Sequence, residues 1–182
     1  MKIQVVGLTI VALMLGAAAA HAQGTPKAEM SLGYAYMHDN DLSDNFPKGF
    51  VASIGGYFSD WFALVGEVGG NYKSVSSGGG SATLSVTTFL AGPKFSASSR
   101  APVSPFVQIL FGAARGKLNI SGGGASIDLP AETNFATQLG GGLDLNLSPN
   151  FGVRGQLDLR SIRSNGSTSN ESRLAAGLVF RW

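Results

Sequence analysis

Phe135-Ala136-Thr137-Gln138-Leu139-Gly140-Gly141-Gly142-Leu143-Asp144-Leu145-Asn146-Leu147 is the stretch on which the fold turns. Phe135, Thr137, Leu139, Gly141, Leu143, Leu145 and Leu147 fall on one side, and Ala136, Gln138, Gly140, Gly142, Asp144 and Asn146 on the other. A period of two means a β-strand, because successive side chains of a strand leave on opposite faces, whereas a helix repeats every 3.6 residues. Downstream, Phe151, Val153, Leu157 and Leu159 oppose Gly152, Arg154, Gln156, Asp158 and Arg160. At the C-terminus Leu174, Ala176, Leu178, Phe180 and Trp182 oppose Arg173, Ala175, Gly177, Val179 and Arg181. Upstream, Met30, Leu32, Tyr34 and Tyr36 oppose Glu29, Ser31, Gly33 and Ala35.

The same reading along the chain predicts eight strands, at 27–37, 48–58, 62–73, 82–95, 105–119, 133–147, 151–163 and 172–182. Most run to ten residues or more. Strands of soluble proteins average ~5–6 residues, and a tilted strand that crosses a bilayer needs ~9–11. In 82–95 the inward face is either Thr87, Phe89 and Ala91 or Thr88, Leu90 and Gly92, and Pro93 suggests a bulge near the rim. The connections Asp39–Pro47, Ser74–Ser81, Ser121–Glu132 and Ser164–Glu171 read as long polar or Gly-rich loops. Ser59–Trp61 and Ser148–Asn150 are short, and Ser96–Ser104 is intermediate. Long loops at one end and short turns at the other are the pattern of outer-membrane barrels. An even strand count places both ends of the barrel in the periplasm.

Composition agrees. Charged residues make up 13% of the chain, against ~25% in soluble domains. The near balance of 13 basic and 11 acidic residues argues against a nucleic-acid partner. With no cysteine, disulfides and thiolate metal sites are excluded. Lys2, the apolar run Val5 to Leu15 and the ending Ala20-His21-Ala22 read as a secretory signal peptide over residues 1–22, leaving 23–182 as one barrel domain. Beyond it no apolar run is long enough for a membrane helix.

Alternation alone leaves open which face meets lipid, and a soluble ligand-binding barrel would turn its apolar face inward. The residue types favour the reverse. The polar face is rich in Gly, Ala, Ser and Gln and carries both signs of charge, in Glu29, Glu67, Asp144, Arg154, Asp158, Arg160 and Arg181. These seven are the expected lumen charge network. The apolar face is almost uncharged, as lipid contact requires; a midplane Arg or Lys there costs ~2–4 kcal/mol. Tyr34, Tyr36, Phe50, Phe58, Trp61, Phe62, Tyr72, Phe95, Phe106, Phe135, Phe151, Phe180 and Trp182 lie near strand ends, as interfacial girdles do. The expected fold is therefore all-β: an eight-stranded antiparallel up-and-down transmembrane β-barrel. A three-residue turn at Ser148–Asn150 sets Leu147 opposite Phe151 and Asp144 opposite Arg154, a predicted salt bridge. Phe58 opposite Phe62 sets Glu67 across from Ser53, and Glu29 lies within reach of Arg181.

Gly92-Pro93-Lys94-Phe95, the run Pro105 to Arg115, the run Phe135 to Asp144, and Ala176-Gly177-Leu178-Val179-Phe180-Arg181-Trp182 together resemble the OmpA-like outer-membrane β-barrel family in its single-barrel form, over about residues 26–182. The resemblance implies a location in the bacterial outer membrane, contact with outer-membrane lipids and lipopolysaccharide, and a monomer. It implies that Leu178, Phe180 and Trp182 form the C-terminal signal read by the outer-membrane assembly machinery, with periplasmic chaperones as escorts. The peptidoglycan-binding domain found in some relatives is not carried over.

Little here suggests catalysis, and no cofactor or metal is expected. His38, beside Asp39 and Asp41, is the one histidine after residue 22. An acyl-transfer role would need a serine hydroxyl within its reach; G-x-S-x-G is missing. Four readings follow: a structural or surface-exposed barrel with at most a narrow pore, a small porin-like channel, an outer-membrane acyltransferase or deacylase using His38, and a secreted soluble barrel.

Overall fold

The computed structural model describes residues 27–41, 44–77, 80–99, 101–122, 125–128, 130–164 and 167–182. The signal peptide expected over 1–22 lies outside the described residues. Among the described residues ten strands form in chain order: β1 (Ala28–Asp39), β2 (Asp44–Phe46), β3 (Lys48–Ser59), β4 (Phe62–Ser77), β5 (Gly80–Ser96), β6 (Val103–Gly122), β7 (Ala125–Asp128), β8 (Glu132–Asn146), β9 (Phe151–Ser164) and β10 (Ser167–Arg181). Eight of these are long and pair antiparallel with their neighbours, and β10 closes on β1 from Glu29↔Arg181 to Asp39↔Glu171. β2 pairs with β1 and β7 with β6, as short additions at the end of the barrel away from the chain termini. Closure is what a sheet in hydrocarbon requires, since an edge would leave backbone N–H and C=O groups without partners. At the seam Gly33 faces Gly177. A Cβ on Gly33 would stand 2.7 Å from the Ala176 carbonyl oxygen, so glycine permits the close approach of the two strands.

The orientation is the inverted one. Leu139, Leu157 and Leu178 are each more than half exposed, whereas Arg154, Asp158 and Arg173 are at most 5% exposed. Along β9 the alternation is strict, with Phe151, Val153, Gly155, Leu157 and Leu159 outward and Gly152, Arg154, Gln156, Asp158 and Arg160 inward. A soluble barrel would show the opposite.

Five details differ from expectation or settle it. In β5, Thr88 and Leu90 are buried and Phe89 is exposed, so the inward row is Thr88, Leu90, Gly92 and Lys94. Pro93 makes no bulge: the register of β5 on β6 is the same at Ala91↔Phe111 and Lys94↔Gln108, and only the rungs at 92–93 are missing, as a residue without an N–H dictates. Phe58 is not paired opposite Phe62. A bulge between Tyr57↔Ala63 and Ser59↔Phe62 takes up one residue before the turn, although the two rings still meet at 5.8 Å. Phe106 is not a girdle residue; it points inward and is 3% exposed. The connections read as long loops are largely strand, since β4 runs to Ser77, β5 starts at Gly80, β6 runs to Gly122 and β10 starts at Ser167. Ser, Thr and Gly carry no apolar alternation, but a ladder started in the membrane continues through them by backbone hydrogen bonds.

Candidate functional site

The inward rows of all eight long strands converge on a lumen filled with paired charge in two layers. The layer nearer the short turns is built around Arg154. The Ser148–Asn150 turn fixes the β8–β9 register, with the Leu147 N–H donating to the Phe151 carbonyl at 3.0 Å. Asp144 therefore faces Arg154. Arg154 Nε donates to Asp144 Oδ1 at 2.7 Å and Nη2 to Oδ2 at 2.9 Å, a fork-on-carboxylate geometry that Lys could not reproduce. The same Nη2 also reaches Glu29 Oε1 at 2.9 Å. Glu29 further accepts from Lys94 Nζ at 2.7 Å and from the Tyr57 hydroxyl at 2.6 Å. Arg181 completes the layer, with Nε 3.4 Å from Glu29 and Nη2 donating to Asp144. The Phe106 ring packs against two cations, with Lys94 Nζ 4.5 Å and Arg154 Cζ 4.7 Å from its centroid. That cation–π placement explains why an aromatic turns inward.

The second layer is built around Glu67, which lies opposite Ser53 in the register that follows the bulge at Phe58. Gln108, Gln138 and Gln156 each donate to its carboxylate, at 3.3, 3.1 and 3.3 Å. Arg173 donates to Glu67 and, through Nε, to Asp158 Oδ2 at 2.9 Å. Arg160 donates to Gln138 Oε1 at 2.9 Å and to Glu171 Oε2 at 3.1 Å. Glu29, Asp144, Lys94, Arg154 and Arg181 leave the first layer with one excess cation. Glu67, Asp158, Glu171, Arg160 and Arg173 leave the second with one excess anion. These ten charges balance across the two layers, and Asp39, buried on the inward row opposite Glu171, adds one further acid beside the second.

The structure thus brings Glu29, Asp144, Arg154 and Arg181 together in one layer, and Glu67, Asp158 and Arg160 in the other. Sequence reasoning missed Lys94, Tyr57, Phe106, Arg173 and Glu171. For Arg173 a signal existed, since it lies in the same alternating row as Arg181. Lys94 was hidden by the two equally plausible faces of its strand.

At the opposite end of β1, His38 Nδ1 lies 2.8 Å from Asn45 Oδ1. His38 is paired with Ser172 in the β1–β10 ladder, but that hydroxyl bonds with Asn40. Among the described residues no serine hydroxyl hydrogen-bonds the His38 ring. The C-terminal Leu178 and Phe180 face outward at 53% and 45% exposure, and the Phe180 and Trp182 rings meet at 5.8 Å.

A closed, inverted barrel with a charged centre has one common setting, and the family comparison agrees: the model of the outer membrane protein beta-barrel domain matches residues 8–181. The chain belongs to the outer membrane protein beta-barrel family. This outer-membrane barrel is similar in structure to Ail, the attachment invasion locus protein of Yersinia pestis, in complex with the heparin analogue sucrose octasulfate. The match has a TM-score of 0.65 and 20% identity, and covers 87% of this chain and 100% of that one. It is similar to Neisserial surface protein A, with a TM-score of 0.59, 14% identity, and coverage of 85% and 96%. It also resembles the N-terminal β-barrel domain of Pseudomonas aeruginosa OprF, with a TM-score of 0.57, 14% identity, and coverage of 86% and 98%. At these identities the likeness concerns the fold. No curated protein matches the chain in sequence. As an outer-membrane β-barrel of the OmpA-like kind, the protein resides in the bacterial outer membrane, and its outward Leu, Phe and Val rows contact lipid.

Proposed function

We propose that this barrel acts without catalysis, as a sealed wall element of the outer membrane whose role in envelope integrity or surface presentation is carried by its extracellular end. The observation that supports this most is the double layer of ion pairs across the lumen. Arg154 holds two carboxylates and Arg173 two more, so a passing ion would have to displace bonded partners that are themselves buried. Removing one member of such a pair costs several kcal/mol. In this reading Leu178, Phe180 and Trp182 serve assembly and the barrel works as a monomer.

A porin-like channel is the second reading. It is favoured by Arg173 Nη1 and Thr88 Oγ1, buried polar atoms with no protein partner that both flank Gly69. They are suited to water, which would hydrate the upper lumen. Planar-bilayer recording on the heat-modifiable, folded protein separates the two. The sealed reading expects no steady conductance from the native chain and a stable conductance from Arg154→Ala/Arg173→Ala. A steady native conductance would overturn it in favour of the channel.

A further inference from the structure

At the end of the barrel that holds the chain termini, one connection behaves unlike its neighbour. The turn Ser148–Asn150 between β8 and β9 is exposed throughout. In the connection between β5 and β6, Ser99 is only 4% exposed. Hydrogen bonds hold this connection from two sides. The Ser96 N–H donates to the Trp61 carbonyl at 2.9 Å and the Ser99 N–H to the Asp60 carbonyl at 3.2 Å, both in the turn that leads into β4. On the other side the Asn146 N–H donates to the Pro102 carbonyl at 2.8 Å. Asn146 stands in the inward row of β8, and its side-chain amide donates to the Ala101 carbonyl at 2.6 Å and to the Ser99 carbonyl at 3.3 Å.

Two strands, β5 and β6, lie between β4 and β8 in the sheet. A buried residue bonded both to the turn before β4 and to an inward side chain of β8 therefore lies inside the mouth, not beneath its own hairpin. The contacts continue across the opening. Asn146 Oδ1 accepts from Arg181 Nη1 of β10, and Arg181 Nε lies 3.4 Å from Glu29 Oε2 of β1. Behind them Ser104, the first inward residue of β6, faces Asp144 and is 1% exposed. An open mouth would leave a serine at that position in water. We infer that residues 97–99 and 101–102 form a strap that closes the periplasmic mouth of the lumen, with Asn146 as its catch. A primary amide suits that part, because its N–H groups hold the strap while its oxygen holds Arg181. Neutral amide–carbonyl bonds are also weaker than the charged pairs above them, so the strap is the portion of the closure that can let go.

The inference rests on the closed barrel and not on the sealed lumen, since a channel would use the same strap as its lower gate. The chain has no cysteine, so Ser104→Cys supplies a single thiol behind the strap and Thr88→Cys a single thiol in the upper lumen. Each is made in the full barrel in phosphatidylcholine nanodiscs, and its rate of reaction with methyl methanethiosulfonate, a small uncharged reagent, is measured with and without Asn146→Asp. That change keeps an oxygen for Arg181 and removes both N–H donors to the strap. Ser104→Cys should react at least ten-fold faster with Asn146→Asp than without it, and Thr88→Cys at the same rate in both. Asn146→Ala, which also lacks the donors but adds no charge, should give the same acceleration at Ser104→Cys, with heat-modifiable migration retained. Rapid reaction of Ser104→Cys in the otherwise native chain, or a rate unmoved by either change at Asn146, would overturn the proposal. So would equal acceleration at both thiols, which would mean that the substitution loosens the whole barrel.

Discussion

Arg154 illustrates the logic of the lumen at the level of a single side chain. Its guanidinium forks onto Asp144 and also reaches Glu29, all three being buried. Arg154→Met fills similar space but strands two carboxylates, with Lys94 and Arg181 left to compensate. The expected outcome is a loss of about 3 kcal/mol in urea-induced unfolding of the folded barrel, the range for breaking a buried pair. Adding Asp144→Asn to Arg154→Met should recover part of it, because the second change removes one stranded charge. No recovery would mean that the two side chains do not act as a pair. The Asp144–Arg154 contact was legible in sequence because a short turn ties register to residue number. Lys94 was not, since Thr87, Phe89 and Ala91 on one face and Thr88, Leu90 and Gly92 on the other are alike in polarity and leave the parity undecided.

The strand is the scale at which lipid and lumen are told apart. On β9, Leu157 faces out and Gln156 and Asp158 face in, one residue away on either side. Leu157→Arg should cost ~2–4 kcal/mol if the position lies at the midplane, seen as a lower urea midpoint and reduced outer-membrane yield. A soluble barrel with Leu157 inside would be damaged equally by Leu157→Ala, so near-native behaviour of the alanine variant beside a damaged arginine variant marks the lipid face. Strand existence and type were legible from period two. Strand ends were not: Ser74–Ser81 and Ser164–Glu171 read as loops because their Ser, Thr and Gly residues show no pattern, yet hydrogen bonding carries the ladders into both. The bulge at Phe58 was equally hidden, since it arises from how a short turn closes and not from any residue type.

For the molecule as a whole, closure of β10 on β1 is the decisive step, and it brings the last strand into contact with the first. Phe180→Ser/Trp182→Ser leaves the lumen pairs and the β1–β10 register untouched. If these residues are the assembly signal, the variant should fall several-fold in outer-membrane abundance in cells while refolding normally in detergent. Equal loss in both settings would assign them to barrel stability instead. The sequence by itself determined the strand period, the eight-strand count, the inverted placement of apolar and charged faces, and the pairs governed by the Ser148–Asn150 turn. Each of these depends on neighbours a few residues apart or on residue chemistry alone. Only the tertiary structure decided which distant charges share a layer, that Lys94, Arg173 and Glu171 join them, and that Phe106 turns inward against two cations. Those contacts join strands far apart in the chain, and they are set by the curvature and registers of the closed sheet, which no local pattern encodes.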